Sequence, residues 1–184
     1  MADGIACFMV ALTGEMRRCL RRYASESECP VAPGYHDARG QIEKCRATRD
    51  DAGHYDGGGS VEDFAGDPRW PTDCACGYVF AESDARQVFV ELLYGNGEGR
   101  EMTIAEMPPG AMFDVAWTHE KGPDGRSLAV KLPGGPHDVW FIDGPSTSGG
   151  YWTRTGEPPR LTVSPSILTP KYHGFLRDGT LVPT

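Results

Sequence analysis

Gln87-Val-Phe-Val-Glu-Leu-Leu-Tyr94, followed by Gly95-Asn-Gly-Glu-Gly99 and then Glu101-Met-Thr-Ile-Ala105, is the stretch that sets the fold class. Its first eight residues are rich in β-branched and aromatic side chains, which fit a pleated, half-buried surface. Gly95, Gly97 and Gly99, with the chain's single asparagine at Asn96, supply the backbone freedom of a tight reversal. The stretch therefore predicts a β-hairpin. Outward to the C-terminus the same alternation of short apolar runs and turn residues continues. Pro108-Pro109-Gly110 punctuates before a strand at 111–118, and Pro123-Asp-Gly125 is a turn before strands at 127–132 and 138–142. A loose 144–150 precedes strands at 151–155, 160–163 and 172–177.

On the N-terminal side, Ile5-Ala-Cys-Phe-Met-Val-Ala-Leu-Thr13 is a continuous apolar run and predicts a buried strand. Met16, Cys19, Leu20 and Tyr23 then recur at i, i+3, i+4 and i+7, with Arg17, Arg18, Arg21 and Arg22 between them. Helical spacing fits best, an extended strand with snorkelling arginines being the alternative. Residues 80–86 predict one helical turn with Ser83 or Asp84 as its cap. Residues 46–66, with Asp50-Asp51 and Tyr55-Asp-Gly-Gly-Gly-Ser60, predict a long flexible insertion. The expected molecule is mainly β with minor helix (α+β), a compact antiparallel sheet or meander with a zinc-stapled N-terminal region. It forms a single domain over 1–184: an N-terminal strand, helix and metal turn in 1–45, the insertion at 46–66, and a β-rich core in 67–184.

Composition narrows the function classes. The 184 residues carry 18 Lys+Arg against 26 Asp+Glu, a formal charge of −8. That balance argues against general attraction to a phosphate backbone, so the arginine run predicts a solvated face and no specific nucleic-acid partner. Gly 24 and Pro 15 are too many for a helical bundle, and no apolar run approaches a membrane span. The preference for Arg over Lys, with abundant Ala, Gly and Pro, is that of a GC-rich coding sequence. The apolar 5–12 lacks the flanks of a secretory signal, so export is not expected and the six cysteines are expected to stay reduced.

The most specific chemistry is Cys74-Ala-Cys76-Gly77-Tyr78. Two thiolates one residue apart reach one cation from a tight turn, a departure from the commoner spacing of two, and the glycine lets backbone amides approach the sulfurs. Upstream, Cys29-Pro-Val-Ala-Pro-Gly-Tyr-His36 offers a thiolate and an imidazole from a second turn. Cys29, His36, Cys74 and Cys76 make a Cys3His set that tetrahedral zinc accepts with no open position, so the zinc would be structural. Cys45 or His54 are the substitutes for Cys29 or His36. Cys7 and Cys19 predict buried small hydrophobes.

The C-terminal sequence Trp152-Thr-Arg-Thr-Gly-Glu-Pro-Pro-Arg-Leu-Thr-Val-Ser-Pro-Ser-Ile167, followed by Tyr172-His-Gly-Phe-Leu-Arg-Asp-Gly179, is the most distinctive. With Cys74-Ala-Cys-Gly-Tyr78, Pro108-Pro-Gly-Ala-Met112 and Gly34-Tyr-His36, it resembles a family of tailed-phage proteins, chiefly from phages of actinobacteria. Those proteins share a Cys-x-Cys-Gly-Tyr turn and a Gly-x-Pro-Pro-x-x-Thr-Val end before Tyr-His-Gly-Phe-Leu-x-Asp-Gly. The resemblance covers most of the chain outside 46–66 and implies a phage context, with no activity attached.

Ser164, Ser166, His173 and Asp178 include the residue types of a hydrolytic triad, but no strand–elbow–helix context surrounds either serine. An edge strand at 162–167, a hairpin turn at Arg177-Asp178-Gly179 and a structural His173 are expected instead. Gly144-Pro-Ser-Thr-Ser-Gly-Gly150 lacks the lysine of a phosphate-binding loop. Glu101, Glu106, Asp114 and Glu120 read as the solvent face of strands, and Trp117, Trp140 and Trp152 as core or interface anchors in preference to a sugar-stacking platform. The expected function is that of a non-enzymatic virion component, a minor capsid, decoration or tail protein. Its partners would be other phage structural proteins and, in self-association, its own copies. It would be found in the virion and, before assembly, in the host cytoplasm. The alternatives are a small phage metal-dependent hydrolase or nuclease, or an inhibitor of a host protein.

Overall fold

The computed structural model describes residues 4–25, 28–31, 34–49, 55, 58–115, 117–145 and 152–184. Strand dominates. In chain order the strands are β1 (Ile5–Ala6), β2 (Phe8–Met9), β3 (Ala11–Ala24), β4 (His36–Arg46), β5 (Ala85–Gly95), β6 (Glu101–Met102) and β7 (Ala111–Asp114). They continue with β8 (Leu128–Lys131), β9 (Val139–Phe141), β10 (Thr153–Glu157), β11 (Arg160–Ser164), β12 (Ile167–Leu168), β13 (His173–Arg177) and β14 (Thr180–Pro183). Helix is confined, among the described residues, to two single 3-10 turns, Glu62–Phe64 and Ile104–Glu106. None is long and apolar enough to cross a membrane. The mainly β, antiparallel architecture is the one the sequence predicts; β2 and β7 form one parallel pair within it.

The chain divides into two compact units, residues 14–93 and residues 1–13 with 94–184. In the first, β4, β3 and β5 lie side by side. Here the helix expected over 16–23 gives way to its alternative, an extended strand, and β3 is paired with β4 from Glu15↔Arg46 to Ala24↔His36. Met16, Leu20, Arg22 and Ala24 are buried at even positions, whereas Cys19 is buried at an odd one, with its thiol 3.4 Å from Glu91. The two-residue period was disguised because Arg18 and Arg22 share the register of the apolar positions and Cys19 is apolar out of register. Arg22 is accommodated by donating to the carbonyl of Ala81 and by lying over the Phe80 ring, 5.3 Å from its centroid. The helical turn expected at 80–86 is also absent. Asp84 instead closes a tight turn, accepting from the Ala81 amide at 2.7 Å while its own amide donates to the Ala81 carbonyl, and β5 starts at the next residue.

In the second unit the expected strand over 5–13 is three pieces. β1 pairs with β14, β2 with β7, and β3 begins at Ala11, so one apolar run serves several partners in succession. The amides of Cys7 and Val10 bridge the changes, donating to Gly179 and Met112. The hairpin that sets the fold class is present, with Tyr94↔Met102 and Gly95↔Glu101 in register. Its return strand is shorter than expected, because a capping box between Thr103 and Glu106 turns the chain into a 3-10 turn. Residues 162–167 split at Pro165 into β11 and β12, since proline cannot donate to a ladder. Arg177-Asp178-Gly179 is the expected turn. Asp178 and Gly179 both take positive φ, 43° and 71°, as a two-residue turn matched to strand twist requires.

Met112, Leu128, Val130, Ile142, Leu161 and Leu176 are among the buried side chains of this unit's core, each contributing about 1.5–3 kcal/mol by leaving water. A charged group is enclosed beside them. Arg154 donates from Nε to Asp143 at 2.6 Å and from Nη2 to Asp124 at 2.5 Å, and the second oxygen of Asp143 accepts from the Leu128 amide at 2.8 Å. Two carboxylates and a main-chain donor thus leave neither buried charge unpaired. Lys131 is likewise buried and donates to the carbonyls of Ile104 and Pro136, with burial pushing its pKa down.

Candidate metal centre

In the 14–93 unit, a short reversal presents Cys74 and Cys76. The Gly77 amide donates to the Cys74 carbonyl at 2.8 Å, the Cys74 amide to the Tyr78 carbonyl at 2.8 Å, and Asp73 bridges to Val79. Gly77 takes φ +90°, which lets the chain turn this tightly. The turn that the glycine permits brings backbone amides to the sulfurs, as the sequence suggested. The amides that reach the sulfurs belong to Cys76 and Tyr78. His36 is the first residue of β4, opposite Ala24 at the end of β3, and Cys29 lies between those two strands.

These elements bring Cys29, His36, Cys74 and Cys76 together, with one donor atom from each lying within 4.8 Å of all the others. The Cys29 and Cys74 sulfurs are 3.8 Å apart, and the Cys76 sulfur is 3.2 Å from Nδ1 of His36. The cluster can hold a metal ion. Cys29, His36 and Cys74 are buried and Cys76 is half-buried, so the donors face one another and not bulk water. The Cys76 amide is the largest influence on the Cys74 thiol; despite burial, it brings the pKa down to about 6, aided by His36. At Cys76 the Tyr78 amide acts downward, but burial and the neighbouring sulfurs of Cys29 and Cys74 push the thiol up. The two thiols thus shift in opposite directions, Cys74 through the hydrogen bonds it accepts and Cys76 through burial beside the other sulfurs.

The ring of Tyr78 stacks on His36, centroids 4.0 Å apart and planes 8° from parallel, and its edge meets Phe80 at 5.6 Å. Ala24, Phe80 and the two buried cysteines form one small core. Sequence reasoning quoted Tyr78 as part of a motif and missed this role. The signal was its position two residues beyond Cys76, which places it beside the imidazole once the turn closes.

Cys45 is outside the cluster. It lies opposite Met16, nine residues along β4 from His36, a distance of roughly 30 Å at strand rise. His54 lies outside the described residues. Cys19 is buried as expected, its thiol pushed up to about 12 by burial and then by Glu91; Cys7 is half-buried and raised to about 11, also by burial.

The other sequence candidates are dispersed. His173 and Asp178 stand at opposite ends of β13, about 16 Å apart, so they cannot act as a dyad. His173 is exposed with Nδ1 3.2 Å from the Thr184 hydroxyl, and the Asp178 amide donates to Thr162. Glu106 caps its own 3-10 turn and Asp114 pairs with Arg126 at 3.2 Å; neither Glu106 nor Glu120 is on a strand. Trp140 is buried and meets Trp152 edge to face at 5.0 Å, whereas Trp117 is exposed. Residues 146–150 of the glycine-rich loop lie outside the described residues. Around β3 the arginines are spent on carboxylates: Arg21 on Asp37 at 2.8 Å, Arg39 on Glu91 at 2.8 Å, and Arg18 on Glu43.

No protein-family model, curated protein or solved structure matches the chain.

Proposed function

We propose that this chain is a zinc-stabilised, non-catalytic β-rich protein that works through its surfaces as a component of a phage virion: a minor capsid, decoration or tail protein. The observation that carries the zinc assignment is the donor set. Three thiolates and one imidazole fill a tetrahedral shell, which suits a structural ion and leaves no position for a substrate. Thiolates at about 2.3 Å from a tetrahedral zinc lie about 3.8 Å from one another. The Cys29–Cys74 separation of 3.8 Å is such an edge. The ion would fix the 72–80 reversal against the start of β4 and the Cys29 segment.

Action through surfaces is supported by apolar side chains next to that centre, Val79 at 72% and Val31 at 65% exposure. Each immediately adjoins the ligand-bearing segments, so the ion would stiffen two side chains able to anchor a neighbouring subunit. The virion role rests on the resemblance to tailed-phage proteins. The residues that carry that resemblance sit at the metal turn, at the start of β7 and at the β10–β11 and β13–β14 reversals, which suits a label of fold. Partners would be other phage structural proteins or further copies of this chain. Elemental analysis of protein purified without chelator is expected to give one zinc per chain. Mass spectrometry of purified particles is expected to count tens to hundreds of copies; absence from particles with abundant protein in infected cells would overturn the virion assignment.

A further inference from the structure

The unit built from 1–13 and 94–184 contains a cavity of about 550 Å³ that the metal centre does not involve. Its volume falls in the range of small-molecule sites. Its walls are Val115, Val139, Trp140, Trp152, Leu168 and Pro170, mainly apolar. The aromatic wall is built in advance of any ligand. Trp140 is held in the β8–β9 ladder opposite Val130, and Trp152 meets it edge to face at 85°. Leu168 at the edge is 64% exposed and Phe141 43%, an unusual outlay of large apolar surface around one opening.

Apart from the indole N–H groups of Trp140 and Trp152 and the carboxylate of Glu120, the polar side chains on the wall are spent within the protein. Asp143 is occupied by Arg154 and the Leu128 amide. Ser127 donates to the Glu120 carbonyl, Thr118 to the Val115 carbonyl, and the Thr169 hydroxyl accepts from the Lys171 and Tyr172 amides. The Glu120 side chain is exposed and negative. A sugar or nucleotide would bury several hydroxyls or phosphates against no more than two indole N–H groups and one carboxylate, and an anion would in addition meet Glu120 with no cationic side chain on the wall to pair it. A flat apolar ring leaves nothing unsatisfied.

We propose that this cavity is a binding site for an uncharged, ring-bearing apolar small molecule, taken between Trp140, Trp152, Val139 and Leu168. The site is independent of the zinc and virion assignments. N-phenylnaphthylamine, which is neutral, and anilinonaphthalenesulfonate, which has the same rings with an added sulfonate, are the probes. Both are read by probe emission and by quenching of tryptophan fluorescence. The neutral probe is expected to bind saturably, one per chain, with a Kd on the order of micromolar. The sulfonate is expected to bind at least about tenfold more weakly, because the wall offers its charge no cationic partner and carries the Glu120 carboxylate. Leu168→Glu, at an exposed position, should weaken the neutral probe several-fold without moving the thermal midpoint. Val139→Phe, which fills the cavity without adding charge, should do the same and serves if the first variant is unstable. Non-saturable or absent binding of the neutral probe, equal affinity for both probes, or unchanged affinity in stably folded variants would overturn the proposal.

Discussion

At the scale of single residues, the donor atoms and their supports have separable effects. Cys76→Ser removes a ligand, and the expected outcome is loss of stoichiometric zinc in competition with a chromophoric chelator. Tyr78→Leu leaves all four donors but removes the ring stacked on His36, and should weaken zinc by about tenfold in the same assay. Asp143 gives a second residue-scale prediction. Asp143→Ala would leave Arg154 with one carboxylate and the Leu128 amide with none, costing about 3–5 kcal/mol in chemical denaturation. The partner Asp124 sets a pH dependence. The Arg154 guanidinium holds its pKa below the ordinary 3.8, so its contribution is complete above that value. It is lost as pH falls through the lowered value, and acid titration of stability should show a decline there that Asp124→Asn removes.

At the scale of elements, close backbone approach decides what sequence periodicity cannot. Gly110 has φ +90°, and a Cβ there would lie 2.5 Å from the Ala6 carbonyl oxygen. Its own carbonyl accepts from Phe8 at the head of the parallel β2–β7 pair. Gly110→Ala is therefore expected to cost about 1–3 kcal/mol, measured as a lowered midpoint in urea with unchanged slope. Much of the hairpin structure was legible beforehand, because Asn-Gly and Asp-Gly pairs specify reversals locally. The long β3 was harder to read. Two of its arginines, Arg18 and Arg22, share the register of the buried positions, where charge is admitted only because Phe80, the Ala81 carbonyl and Glu43 arrive from distant parts of the chain. The 5–13 run was legible as strand but not as three, since a change of pairing partner leaves no mark on a continuous apolar sequence.

At the scale of the whole molecule, an ion in the Cys3His cluster would link metal binding to folding only where the ligands are. Chelation is expected to lower the melting temperature in a zinc-dependent way, because an ion bound by the native state alone stabilises by mass action. Hydrogen exchange should then rise in 24–38 and 72–80 while β8, β13 and β14 keep their protection. Uniform deprotection of all strands would show instead that the ion holds the entire fold.

The sequence by itself determined the mainly β class, most of the reversals and the four candidate ligands. Turn chemistry is local, and a Cys3His set is nearly a complete chemical statement. Tertiary structure alone decided that Cys45 is excluded, that Tyr78 stacks on His36, that Arg154 is neutralised by two aspartates, and that His173 and Asp178 are held apart. Each depends on which residues distant along the chain become neighbours, and strand pairing sets that through backbone hydrogen bonds whose donors and acceptors are the same at nearly every residue.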